Sequence, residues 1–201
     1  MIIFQLIILL FSAIIHEFSH GAIAEKLGDP TARLSGRLTL NPLKHLDPFG
    51  SFILPLSLYF ASGGAFVFGW AKPVPYNPYN LKKPKRDAGL IAIAGPASNL
   101  LIAFAIGLVY RFGDIFFIPY GFAGVLPLLK IIVIVNVSLA VFNLVPIPPL
   151  DGSKVLFSFL SHGARLERLL EQYGMILLLL FIFFGFSLII PIISFIYNLI
   201  I

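Results

Sequence analysis

Four apolar stretches in this chain are long enough to cross a lipid bilayer, and they constrain its fold more than any other feature. A helical span needs about 20 predominantly apolar residues, and residues 2–26, 88–110, 128–145 and 174–201 reach or approach that length. Inside hydrocarbon, backbone N–H and C=O groups must be satisfied within the segment, which predicts helices. With 59% hydrophobic residues and a mean hydropathy of +0.98, the 201-residue chain reads as one all-α polytopic membrane domain. Its core is expected in residues 1–155, followed by an amphipathic segment and the last transmembrane helix in 156–201. The net charge of +5 sits in short stretches between apolar runs, which suits loops facing lipid headgroups and argues against nucleic acid as a partner. The first apolar run lacks a basic start and exceeds the apolar core of a signal peptide, so it is expected to be retained.

A fifth apolar run, residues 51–63, is too short to span and is predicted as a re-entrant or interfacial helix. Asp47 as N-cap and Pro48 at the first helical position account for its start. Charge counting favours the same choice. If this run does not cross, twelve of the fourteen Lys and Arg residues fall on one side and only Arg111 and Lys130 on the other. If it crosses, the split is eight against six, which specifies almost no orientation. The chain is therefore expected to have four spans and both termini outside the cytoplasm. Residues 28–46 and 64–80, with Asn41-Pro42 and Asn77-Pro78 turns, are expected to carry short membrane-associated β-strands. Residues 64–72 in particular read as an edge strand able to pair with an extended substrate, a packed loop being the other reading. Residues 153–173 have apolar positions at helical spacing and are predicted as one or two amphipathic helices at the cytoplasmic surface.

The chemistry lies in the first span. His16 and His20 are four residues apart, one turn of helix, so both imidazoles can reach one ion while Glu17 is turned slightly aside toward its water. Ionisable groups inside an apolar helix are costly and mark a functional interior. With no cysteine in the chain, a metal must be held by His, Asp or Glu. Zinc lowers the pKa of a bound water, and a carboxylate that is not a ligand takes its proton. A catalytic zinc needs a third protein ligand. Asp151 is the favoured candidate, because Pro146, Pro148 and Pro149 must break the third span just before it and leave unwound backbone at membrane depth. The first and third spans also run in the same direction, which brings Asp151 and the histidines to the cytoplasmic half. His45 and Asp47 are the alternatives. Asn143 is placed either to hold a substrate carbonyl or oxyanion, or to bond helices together. Gly95-Pro96-Ala97-Ser98-Asn99 supplies small residues for close helix approach, with Asn99 read as structural.

Together these residues resemble the site-2 protease family of intramembrane zinc metalloproteases. His16-Glu17-Phe18-Ser19-His20 is similar to that family's metal helix, Gly95 to Asn99 to its middle helix, and Asn143 to Gly152 to its Asn-x-x-Pro and Asp-Gly segment. Asn41 to Pro48 and Phe68 to Pro75 resemble segments of compact prokaryotic members. The resemblance implies one zinc per chain held by His16, His20 and Asp151, water activation by Glu17 and substrate positioning by Asn143. It further implies a prokaryotic inner-membrane enzyme that cleaves transmembrane protein substrates, and the chain is expected to depart from larger relatives in lacking room for a PDZ or CBS domain. The sequence leaves the oligomeric state open. A catalytically inactive metal-binding protein acting through partners is the competing reading, and Glu17 argues against it, because a structural site needs no base.

Overall fold

The structure, a computed structural model, describes residues 2–61, 72–160 and 164–201. The described residues form helices joined by turns and irregular segments. Helix α1 (Ile2–Lys26) is the first apolar run, closed by Lys26 in its last turn. Two short helices follow, α2 (Thr31–Leu34) and α3 (Leu54–Ala61). The long α4 (Pro84–Arg111) begins with Pro at its first position, and Asp87 Oδ2 accepts the Lys83 N–H at 2.8 Å to close the exposed end. After α5 (Gly113–Phe116) comes α6 (Val125–Asn143), which the prolines interrupt before α7 (Asp151–Phe159). The chain ends in α8 (Ala164–Leu180) and α9 (Ile190–Ile200).

Among the described residues, four helices are long and apolar enough to cross a membrane, at Ile3–Lys26, Pro84–Arg111, Val125–Asn143 and Arg165–Leu188. The last begins earlier than the sequence predicts and stops sooner. The helix starts at Ala164 in polar residues, distorts into a π turn at Phe181–Gly185, and gives way to a separate helix where Pro191 lacks an N–H. The predicted amphipathic region is therefore divided between α7 and the first turns of α8.

The expected β-strands are not found among the described residues. In 28–46 local side-chain capping wins: Asp29 accepts the Thr31 N–H at the start of α2, and Asn41 accepts the Leu43 N–H to start a 3-10 turn at Pro42–Lys44. Residues 72–77 are irregular and lead into a second 3-10 turn, Pro78–Asn80, capped by Asn77. Positions 64–71 of the predicted edge strand lie outside the described residues. The helix of the short fifth apolar run starts as the sequence predicts, at Pro48, with Asp47 Oδ1 accepting the Gly50 N–H at 2.6 Å.

Helices α1, α4 and α6 form the centre of the molecule. Ala103, Val133, Val137 and Val141 bury the α4–α6 seam, and Leu178 and Ile193 bring α8 and α9 against it. A smaller cluster of Ala24, Leu81 and Ile91 ties the end of α1 to the start of α4.

Candidate metal centre

His16 and His20 occupy the buried face of α1, their rings edge to face with centroids 4.6 Å apart. Small residues on α4 give them room. A Cβ on Gly95 would fall 2.5 Å from His16 Nε2 and 2.6 Å from His20 Cε1, so no larger residue fits there without moving both rings. Asp151, the first residue of α7, completes the cluster. Its Oδ2 lies 2.9 Å from His16 Nε2 and 3.1 Å from His20 Nε2. The broken segment before it sets that position: a Cβ on Gly152 would collide with the carbonyl oxygens of Leu144 and Val145, so the turn folds directly onto the Asp-Gly pair. His45, by contrast, is wholly buried with Nε2 donating to the Thr39 carbonyl at 2.7 Å. Asp47 caps the helix at Pro48–Ile53. Neither lines the cavity beside the histidines.

The outer partners of the rings decide what the centre can hold. His20 Nδ1 donates to the backbone carbonyl of Ile91 at 2.7 Å, and His16 Nδ1 donates to Asn99 Oδ1 at 2.7 Å. A neutral imidazole has one N–H, so both rings turn a bare Nε2 toward the Asp151 carboxylate. Three acceptor atoms then face one another with no donor between them, an arrangement that calls for a cation. Two imidazole nitrogens and one carboxylate oxygen, with outer hydrogen bonds fixing the rings, match the donor set of an open catalytic zinc site.

Glu17 stands beside them, with its carboxylate and the ligand nitrogens of His16 and His20 all within 4.8 Å of one another. Its Oε2 accepts the Val74 N–H at 2.8 Å. This bond comes from a strap, residues 72–77, that crosses the end of α1. Pro73 and Pro75 have no N–H, so Val74 supplies the strap's one donor at that point. The strap is anchored further along by Asp29, which accepts from Asn77 N–H at 2.6 Å, Asn80 Nδ2 at 2.7 Å and the Thr31 hydroxyl. Burial alone would raise the Asp29 carboxyl, but these donors, Thr31 first, outweigh it and hold the group below the usual carboxylate range.

The cavity between strap and helices holds about 140 Å³ and is lined by His16, Glu17, His20, Val74, Tyr76, Asn143, Asp151 and Lys154, among others. Asn143 reaches it while its Nδ2 donates to the Leu139 carbonyl at 3.0 Å, one turn back in α6. Lys154 Nζ sits 5.3 Å over the Tyr76 ring at the same opening. Sequence reasoning misses three features. It takes Asn99 as structural packing, yet that side chain touches His16 directly; Asn136 stands behind it; and the Val74 amide meets Glu17. A signal for the first two is present, since each is a lone amide within an apolar run.

An HExxH helix, a carboxylate from a broken span and a cavity beside membrane-length helices are the parts expected of a metallopeptidase built for the bilayer. The chain belongs to peptidase family M50, whose model matches residues 4–119 and 115–185, and this makes it a site-2-protease-like zinc metalloprotease. It is 38% identical over 181 residues to YwhC of Bacillus subtilis, a protein named as a zinc metalloprotease, covering 88% of this chain and 78% of that one. It is 33% identical to the likewise named Rip2 of Mycolicibacterium smegmatis, over 84% of this chain and 62% of the relative. With the zinc metalloprotease MJ0392 of Methanocaldococcus jannaschii it shares 28% identity over 90% of this chain and 42% of the relative. No solved structure matches the chain.

Proposed function

We propose that this protein hydrolyses peptide bonds within or beside the transmembrane helices of other membrane proteins. The observation that carries the reading is the meeting of His16 Nε2, His20 Nε2 and Asp151 Oδ2, with Glu17 beside them, in a cavity between membrane-length helices. His16, His20 and Asp151 would hold one zinc ion. Bound there, zinc supplies Lewis acidity and lowers the pKa of water.

The chain's own groups do the rest. Glu17 takes a proton from the attacking water as its oxygen adds to the scissile carbonyl carbon, and returns that proton to the departing nitrogen as the C–N bond breaks. The Val74 N–H holds one Glu17 oxygen, so the other is the one turned to this work. Asn143 offers its amide to the substrate carbonyl from the wall of the cavity. A helical substrate must unwind first, because its carbonyls are otherwise shielded and satisfied. The charge distribution supports a centre in the cytoplasmic half of the membrane, and the bacterial and archaeal relatives support the inner membrane of a prokaryote.

Glu17→Gln tests the mechanism. Zinc should remain at about one per chain, while cleavage of a transmembrane reporter falls by at least about 100-fold. Near-normal turnover in that variant would defeat the assignment.

A further inference from the structure

We infer that Asn99, held in turn by Asn136, is a positioning residue that dictates which nitrogen of His16 faces the metal. The inference rests on the reading that zinc sits among His16, His20 and Asp151. The two histidines are oriented by different means. His20 is locked by a backbone carbonyl, which cannot donate and which no side-chain change removes. His16 depends on a side-chain amide from another helix, and an amide has two ends. Were Asn99 turned round, its Nδ2 would meet His16 Nδ1, the imidazole proton would move to Nε2, and an N–H would point where a cation has to bind.

The structure prevents that turn. Asn99 Nδ2 donates to the Ser12 carbonyl at 3.2 Å and to Asn136 Oδ1 at 3.0 Å. Asn136 is itself oriented, since its Nδ2 donates to the Ile132 carbonyl at 2.9 Å. Both amides are fully buried. The result is a directional chain running from the α6 backbone through Asn136 and Asn99 to His16, with every amide end specified. An amide serving only to join α4 to α1 and α6 is already supplied by the Ser12 carbonyl and Asn136, and leaves its oxygen for a further partner. Here the third partner is a metal-facing ring.

Zinc affinity of the full chain in detergent, measured by chelator competition, tests this, with ¹⁵N spectra of the metal-free histidines at alkaline pH as a second readout. Asn99→Leu should weaken zinc binding roughly 10–100-fold and remove the preference of His16 for the Nδ1–H tautomer. Asn99→Asp, which keeps an acceptor, should recover most of the affinity. Asn136→Leu should shift both readouts in the same direction by less. Equal loss of thermal stability in Asn99→Leu and Asn99→Asp, with wild-type zinc affinity in the folded protein, would overturn the inference. Should Asn99→Leu fail to fold, unchanged affinity and an unchanged His16 tautomer in Asn136→Leu would overturn it equally. A folded wild type that binds no zinc would instead defeat the metal reading.

Discussion

The two sides of the centre are held by opposite kinds of chemistry. On the bundle side, His16 and His20 are fixed by groups that do not titrate, the Asn99 amide and the Ile91 carbonyl, on helices packed tightly enough that only glycine fits at 95. On the strap side, an irregular segment is pinned by two carboxylates, Glu17 through Val74 and Asp29 through Asn77 and Asn80. The difference assigns separate duties. Uncharged groups on packed helices orient the two imidazoles, whereas carboxylate hydrogen bonds hold the strap that lies beside Glu17.

Three perturbations would break or sharpen that contrast. The largest effect is expected for Gly95→Ala on the bundle side. Its Cβ would press on both imidazoles, and zinc affinity measured by chelator competition should fall further than the roughly 10–100-fold that loss of an outer hydrogen bond costs. Retained affinity would show that the rings have room the structure does not provide. Gly21→Val comes next and strikes the strap. A Cβ at Gly21 already falls 2.9 Å from Val74 Cγ1 and 3.1 Å from Ala32 Cβ. Displacing Val74 should lower turnover roughly 10–100-fold while zinc content stays at the wild-type level. Loss of zinc in step with turnover would erase the distinction between the two sides.

The smallest effect concerns Asp29. Because its folded pKa is depressed, its contribution to stability is full above the ordinary carboxylate value of about 4 and is lost as pH falls toward and below the folded value. Thermal unfolding in detergent should therefore come at lower temperature as the solution is acidified below about pH 4. The Asp29→Asn variant should flatten that profile, at a cost of roughly 1–3 kcal/mol at neutral pH. An identical acid profile in both proteins would place the pH dependence elsewhere.

Much of this was legible in the residues themselves. The His16–His20 spacing needs only a helix to become a pair of neighbouring imidazoles on one face, and membrane-length apolar runs leave the backbone little alternative to a helix. The prolines before Asp151 mark where a third acid can escape its helix. What hydropathy does not encode is the rotation of one span against another, and this decides that Asn99 meets His16 rather than lipid. The strands expected in 28–46 lose to short-range competition, because Asp29 and Asn41 offer side-chain oxygens to nearby N–H groups before any ladder can form. The final span is misplaced for a related reason: its apolar run is continuous, but Gly185 and Pro191 lie within it and divide the helix.

The collision that any side chain at 152 would have with the carbonyls of Leu144 and Val145 reaches beyond that glycine. The bite of the candidate metal site is gauged by main chain, as a jig sets a workpiece, and the number of residues between Asn143 and Asp151 is the gauge. Exchanging an apolar side chain along that stretch leaves the gauge intact. Adding or removing a single residue there would swing the carboxylate off its mark although every candidate ligand remained in the sequence.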